Sequence, residues 1–183
     1  LSMRTLATSL GVEAMSLYKH VPNKATLLDL LVGEVVSEME LPTKGTWEQR
    51  CRQIAEEYRR VGLAHPEVFT LVATCRSGSI ESLQPIDAAL GALRSGGFDD
   101  ATTLRAFWLL VSFMNGSIQG QIADEAGLRE PLGVPVDPVA VAELLPNLGL
   151  LGDRFLQCDY DAEFAFGLDR VLASLRSLRR ARR

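Results

Sequence analysis

The 183-residue chain predicts an all-α fold, and three observations carry that expectation. Apolar residues recur with helical period along nearly the whole length, strand-like alternation is hard to find, and Gly or Pro interrupts the pattern at helix-length intervals. A hydrophobic content of 47% against 23% charged residues suffices for a full core and excludes a disordered chain. No apolar run is long enough to span a bilayer and no leader peptide is visible, so no membrane partner is expected and the cytoplasm is the expected compartment.

Each element has a local cause. Ser2 reads as the N-cap of a first helix over Met3–Leu10, and Gly11 lets the chain turn. A short second helix is expected over Ala14–His20, halted by Pro22, and Asn23 caps a third over Lys24–Met39. LPTKGT, Leu41–Thr46, reads as a linker between a domain over residues 1–40 and one over 46–183. Further helices are expected over Trp47–Ala64, Glu67–Cys75, Ser82–Ser95, Asp100–Ala126, residues 138–145 and Ala162–Leu178. The stretch GLREPLGVPVDP, 127–138, reads as a loop, and RSLRRARR, 176–183, as a solvated basic end.

Net charge is −4, spread as −1 over residues 1–39, −9 over 40–169 and +6 over the last fourteen. Phosphate contacts must therefore come from a few placed groups rather than from a broadly basic surface. Cys51, Cys75 and Cys158 are scattered and odd in number, which argues against a disulfide framework or a cysteine zinc site. The two histidines, His20 and His65, leave few metal ligands or general bases. No G-x-S-x-G elbow, Walker loop, H-E-x-x-H or dinucleotide fingerprint occurs, and RSGGFDD is a glycine turn between helices, so an enzyme is not expected.

The stretch LGVEAMSLYKHVPNKATLL, Leu10–Leu28, carries the functional signal. On a helical wheel Ala14, Leu17 and Val21 make a narrow apolar stripe fit to dock on Leu6 and Leu10. Met15, Ser16 and Lys19 point to the opposite side, with Tyr18 and His20 flanking them. This outward set holds no acid and combines flat with hydrogen-bonding groups, which an idle solvated face seldom does. Two short helices joined through Gly11, the second with such a face, make a helix-turn-helix suited to a major groove.

The residues LSMRTLATSLGVEAMSLYKHVPNKATLLDLLVGEVV resemble the DNA-binding segment of the TetR family of transcriptional regulators, above all in LGV, LY-x-HV-x-NK and LLD. FAFGLDRVLASL resembles the closing helix of that family's tetracycline-repressor-like regulatory domain. The resemblance implies a three-helix DNA-binding domain on a larger all-helical, dimer-forming, ligand-binding domain. It implies that Arg4 reads a base, with guanine offering two acceptors. Met15 and Ser16 would face the groove, Tyr18, Lys19 and His20 would reach phosphates or adjacent base edges, and Lys24 would hold a phosphate at the start of the third helix.

Two departures matter. Ala14 stands where tetracycline repressors carry a polar base reader, so their operator does not transfer. The family also has an earlier helix that covers Leu6, Leu10 and Leu17, and we expect it to be missing from this sequence. Leucines left exposed there are unfavourable by about 1.5–3 kcal/mol each.

Most aromatics of the larger domain read as core. Asn115, Gln119 and Gln121 interrupt the most apolar helix, and buried amides need partners. We place a small, largely apolar effector among Phe69, Trp108, Met114, Asn115, Ile118 and Gln119. Ser112, Gly116 and Gly120 recur every four residues, a row that admits another helix closely. The resemblance puts that row, with Phe166, Leu168 and Leu172, in a four-helix bundle across a homodimer, whose paired recognition helices read a palindrome in double-stranded DNA. No metal or cofactor is expected, because the histidine positions of tetracycline repressors fall here, without gaps, on Leu71 and Asn115. The expected function is a ligand-responsive repressor; the alternative is a constitutive dimeric regulator with no effector, and an enzyme is a remote third.

Overall fold

Ten α-helices and no strand make up the described residues, 2–74, 78–127, 137–151, 154 and 157–180, of the computed structural model. They are α1 Met3–Leu10, α2 Ala14–Tyr18, α3 Lys24–Ser37, α4 Trp47–Ala64 and α5 Pro66–Thr74. α6 Ile80–Ser95, α7 Asp100–Glu125, α8 Pro138–Leu144, α9 Pro146–Leu151 and α10 Tyr160–Arg180 follow. The all-α expectation holds, and α1 and α4 have the bounds expected of them.

The differences have local causes. α2 stops at Tyr18 rather than His20, with Lys19 as its C-cap and Pro22 barring continuation of the helix. Lys19 and His20 form a closing turn instead, with the His20 and Val21 amides donating to the Leu17 carbonyl at 3.0 and 2.9 Å. α6 begins at Ile80 rather than Ser82, since the Ser79 hydroxyl accepts the Ser82 amide at 3.2 Å and caps the helix two residues earlier. α9 was not expected at all: six residues with a glycine among them are too few for periodicity to register. Most of the 127–138 loop, Cys75 and the last arginines lie outside the described residues.

The chain forms two compact units, Leu1–Met114 and Asn115–Arg183. In the first, α3 packs against α4, α5 and α6, while α6 runs along α4. Its core includes Val35, Ile54, Ala55, Phe69, Ala92 and Leu93, and burying each large apolar side chain contributes about 1.5–3 kcal/mol. α4 starts with a capping box in which the Thr46 amide donates to Gln49 Oε1 (2.9 Å) and the Gln49 amide to Thr46 Oγ1 (3.3 Å). That start fixes Trp47 edge-on to Phe98, with ring centroids 5.1 Å apart. Gly96 makes the seat possible, because a Cβ there would lie 2.7 Å from Trp47 Cγ.

In the second unit α8 packs on α9, and α10 turns Phe164, Leu168, Leu172 and Leu175 inward at helical spacing. Leu168 and Leu172, expected at a dimer interface, both lie on this inward stripe. They are 1% and 3% exposed and belong to the protomer's own interior. Phe166, off the stripe, is 63% exposed. No described helix is long and apolar enough to cross a membrane.

Candidate nucleic-acid interface

α1 is held at both ends by its own sequence. Ser2 Oγ accepts the Thr5 amide (3.1 Å), and Gly11 leaves the helix with φ +66°. The Gly11 and Val12 amides then return to the Thr8 and Ala7 carbonyls at 3.2 and 3.0 Å, which closes a left-handed helix end. α2 packs on α1 with Ala14 and Leu17 half-buried, while Met3 and Ala7 of α1 are buried.

The opposite side of α2 is open. Met15 is 70% exposed, and Ser16, Tyr18, Lys19 and His20 are exposed with it, as the wheel required. Arg4 is exposed on α1. Lys24 is exposed in the first turn of α3, beside the Asn23 cap, whose Oδ1 accepts the Thr26 amide at 2.9 Å. A large apolar thioether, a phenol and three cations thus stand in water on one small helical unit, and none of them contributes to burying it. Leu10 is also exposed, and Leu6 and Leu17 are half-buried.

α3 joins this unit to the helices behind it, and its C-terminal end is clasped. His65 Nε2 lies 2.9 and 3.0 Å from the two Glu38 carboxylate oxygens. Arg60 Nη2 donates to the Glu38 carbonyl (2.7 Å) and to Glu57 Oε2 (2.8 Å), and Glu57 Oε2 also accepts the Glu40 amide at 2.9 Å. The Arg60 guanidinium holds the Glu57 carboxyl below its ordinary range, and the Glu40 amide adds to the effect against some desolvation.

Beside the clasp is a cavity lined by Val36 near the end of α3 and Met39 just beyond it, Tyr58 and Val61 of α4, His65, and Phe69 of α5. Its volume is about 10 Å³, room for about one water. Tyr58 and Phe69 meet edge-on there at 5.5 Å, and burial pushes the Tyr58 phenol well up. Sequence reasoning named Phe69 and missed Tyr58, Val61 and His65, although their i, i+3, i+7 spacing on α4 was a usable signal.

The other effector residues are not gathered here. Trp108, expected to line a ligand pocket, is 58% exposed on a face of α7 that it shares with Leu104 and Leu109. Met114 is buried, and Ile118 has no exposed surface, so in this conformation neither offers a ligand much to touch. Asn115 and Gln119 are half-buried, while the buried Gln121 amide donates to Glu125 Oε1 at 2.7 Å and is satisfied one turn on. Ser112 and Gly116 are exposed, Gly120 is half-buried, and a Cβ on Gly116 would meet nothing within 4 Å.

Comparison with known proteins finds relatives along most of the chain. The model of the family described as "Tetracyclin repressor-like, C-terminal domain" matches residues 40–179. An HTH-type transcriptional regulator of Saccharopolyspora erythraea is 34% identical over 138 residues, covering 72% of this chain but only 58% of that protein's length. The HTH-type transcriptional repressor DrrR1 of Streptomyces coeruleorubidus is 28% identical over 196 residues, covering 100% of this chain and 72% of its own. Among solved structures, the TetR family protein ActR of Streptomyces coelicolor in complex with actinorhodin superposes with a TM-score of 0.78 at 28% identity, over 97% of this chain and 87% of its own. A helix-turn-helix with an open, acid-free face, ahead of a tetracycline-repressor-like helical domain, places this chain in the TetR family of transcriptional regulators.

Proposed function

We propose that the protein is an effector-responsive transcriptional repressor that binds a palindromic operator as a homodimer and is released by a small, largely apolar organic molecule. Residues 1–40 read DNA and residues 46–183 sense the effector and form the dimer. The observation that carries this is the open face of α2: Met15, Ser16, Tyr18, Lys19 and His20 stand exposed with Arg4 and Lys24 on the neighbouring helices. In a major groove Arg4, Met15 and Ser16 meet base edges, and Tyr18, Lys19, His20 and Lys24 meet phosphates or adjacent edges. The dimer contact runs through Gly116 and Phe166 of the second unit, both open on the protomer.

The cavity supplies the switch. A void of about 10 Å³ between α3, α4 and α5 admits no organic molecule until those helices part. Parting them moves α3, which residues 19–23 join directly to α2. The effector therefore binds the displaced conformation more tightly than the DNA-bound one, which is the differential affinity that a switch needs. ActR, which was solved with actinorhodin, and the repressor DrrR1 lend this support by similarity.

The same small volume favours a second reading, a constitutive regulator whose pocket is filled by its own side chains. Selection of duplexes from a randomised library, followed by melting with a panel of polycyclic organic ligands, separates the two. The switch predicts an enriched palindrome, and at least one ligand that both raises the melting temperature and releases the duplex. An enriched palindrome with no stabilising ligand favours the constitutive regulator, and a library with no enrichment overturns both.

A further inference from the structure

α3 touches the start of α6 at a point that neither the DNA-reading face nor the cavity uses. Asp29 Oδ1 accepts the backbone amide of Gly78 at 3.0 Å. One turn further along α3, Gly33 is buried, and a Cβ built on it would lie 2.9 Å from the Ser79 hydroxyl oxygen, closer than real contacts allow. The next atoms, Glu81 Cβ and Ser79 Cβ, would be at 3.7 and 3.8 Å, ordinary packing distances. One oxygen therefore sets the approach of the two helices.

That oxygen is not free to turn away. Ser79 Oγ accepts the Ser82 amide at 3.2 Å as the N-cap of α6 and donates to Ser82 Oγ at 3.1 Å. Rotating it to make room would break the cap.

The leverage is large. The clasp at Glu38 anchors the far end of α3. At 1.5 Å rise per residue, Gly33 lies about 7.5 Å from that anchor and Lys24 about 21 Å. A displacement of about 0.5 Å at Gly33, enough to relieve a methyl group, thus becomes about 1.4 Å at the start of α3, where the chain runs on from α2. Hydrogen bonds to base edges tolerate only a few tenths of an ångström.

We propose that the bare surface of Gly33, seated on Ser79 and tied by Asp29 to Gly78, aims the DNA-reading helices, so that Gly33 is a positioning residue for operator binding. The inference rests on the regulatory reading above and deepens it, because it names the contact that fixes the tilt of α3. It also separates aim from stability: alanine is a better helix former than glycine, so a methyl at residue 33 favours the helix itself while moving it.

The test measures binding of the duplex that the wild-type chain enriches from a randomised library. Wild type, Gly33→Ala, Ser79→Ala and the double variant are compared, each with its melting temperature. Expected is a loss of about tenfold or more in affinity for Gly33→Ala, with melting unchanged or raised (a tenfold loss is about 1.4 kcal/mol). In the double variant, where only ordinary packing distances remain, affinity returns to within about threefold of Ser79→Ala alone. Gly33→Ala binding like wild type, or a double variant no better than Gly33→Ala, overturns the proposal. So does a Gly33→Ala chain without a melting transition, since the seat would then hold the fold rather than aim it. A wild-type chain that enriches no duplex removes the regulatory reading and this inference with it, whereas a failure confined to the variants removes the inference alone.

Discussion

Single residues show most plainly how sequence becomes local structure. Gly11 closes α1 at φ +66°, with nothing within 4 Å of where its Cβ would stand, so its necessity is a matter of backbone and not of space. Gly11→Ala is expected to destabilise by about 1–2 kcal/mol and Gly11→Asn by less, as thermal melting would show. This position, like the Ser2 and Asn23 caps, was legible because the interactions involved span only three or four residues. Cys51 was not legible in the same way. It is buried, and desolvation pushes its thiol from 9.0 up to about 12, partly offset by Arg50. The folded chain therefore keeps a proton on Cys51 that the unfolded chain loses above 9.0, so stability falls as pH rises from there toward 12. At neutral pH an alkylating reagent should mark exposed Cys158 in the native protein and Cys51 only after unfolding, read by peptide mapping.

Helices are legible as periods, but the partner each face meets is not. The α10 pattern shows an apolar stripe in the sequence, yet only packing reveals that Leu168 and Leu172 are spent inside the protomer while Phe166 is left outside. Trp108 shows the same limit, since an aromatic on an apolar helix does not announce its 58% exposure until the neighbouring elements are placed. Likewise Asp29 and Gly33 meet Gly78 and Ser79 some fifty positions away in the chain, and no local pattern announces such a contact. Gly116 gives this scale its sharpest prediction. The protomer has room for a side chain there, and replacing glycine inside a helix gains about 1 kcal/mol. Gly116→Leu should therefore stay folded yet sediment as a monomer; a dimer of unchanged strength would remove Gly116 from the interface. Phe69→Ala, by contrast, should cost about 3–5 kcal/mol by melting, because it empties a site that is 1% exposed.

At the scale of the molecule α3 is clasped at Glu38, seated against Ser79 at Gly33, and joined ahead of Lys24 to α2 through residues 19–23. Its clasp contains Glu57, whose carboxyl is held below its ordinary value of 4.5, so its contribution is present above that pH and fades as pH falls below it. Operator affinity should weaken with acidification across that range before the fold is lost, as anisotropy and circular dichroism recorded together would show. The central claim, that the open face of α2 and its neighbours read DNA, is tested most directly by titrating the selected duplex against salt for wild type, Lys19→Ala and Arg4→Ala. If Lys19 meets a phosphate, its loss weakens binding to all sequences and lowers the slope of log affinity against log salt by about one. If Arg4 reads a base, its loss costs about 1–3 kcal/mol and relaxes preference at one position of the palindrome. Folded variants that keep the wild-type affinity, slope and sequence preference would contradict the assignment of this face to DNA.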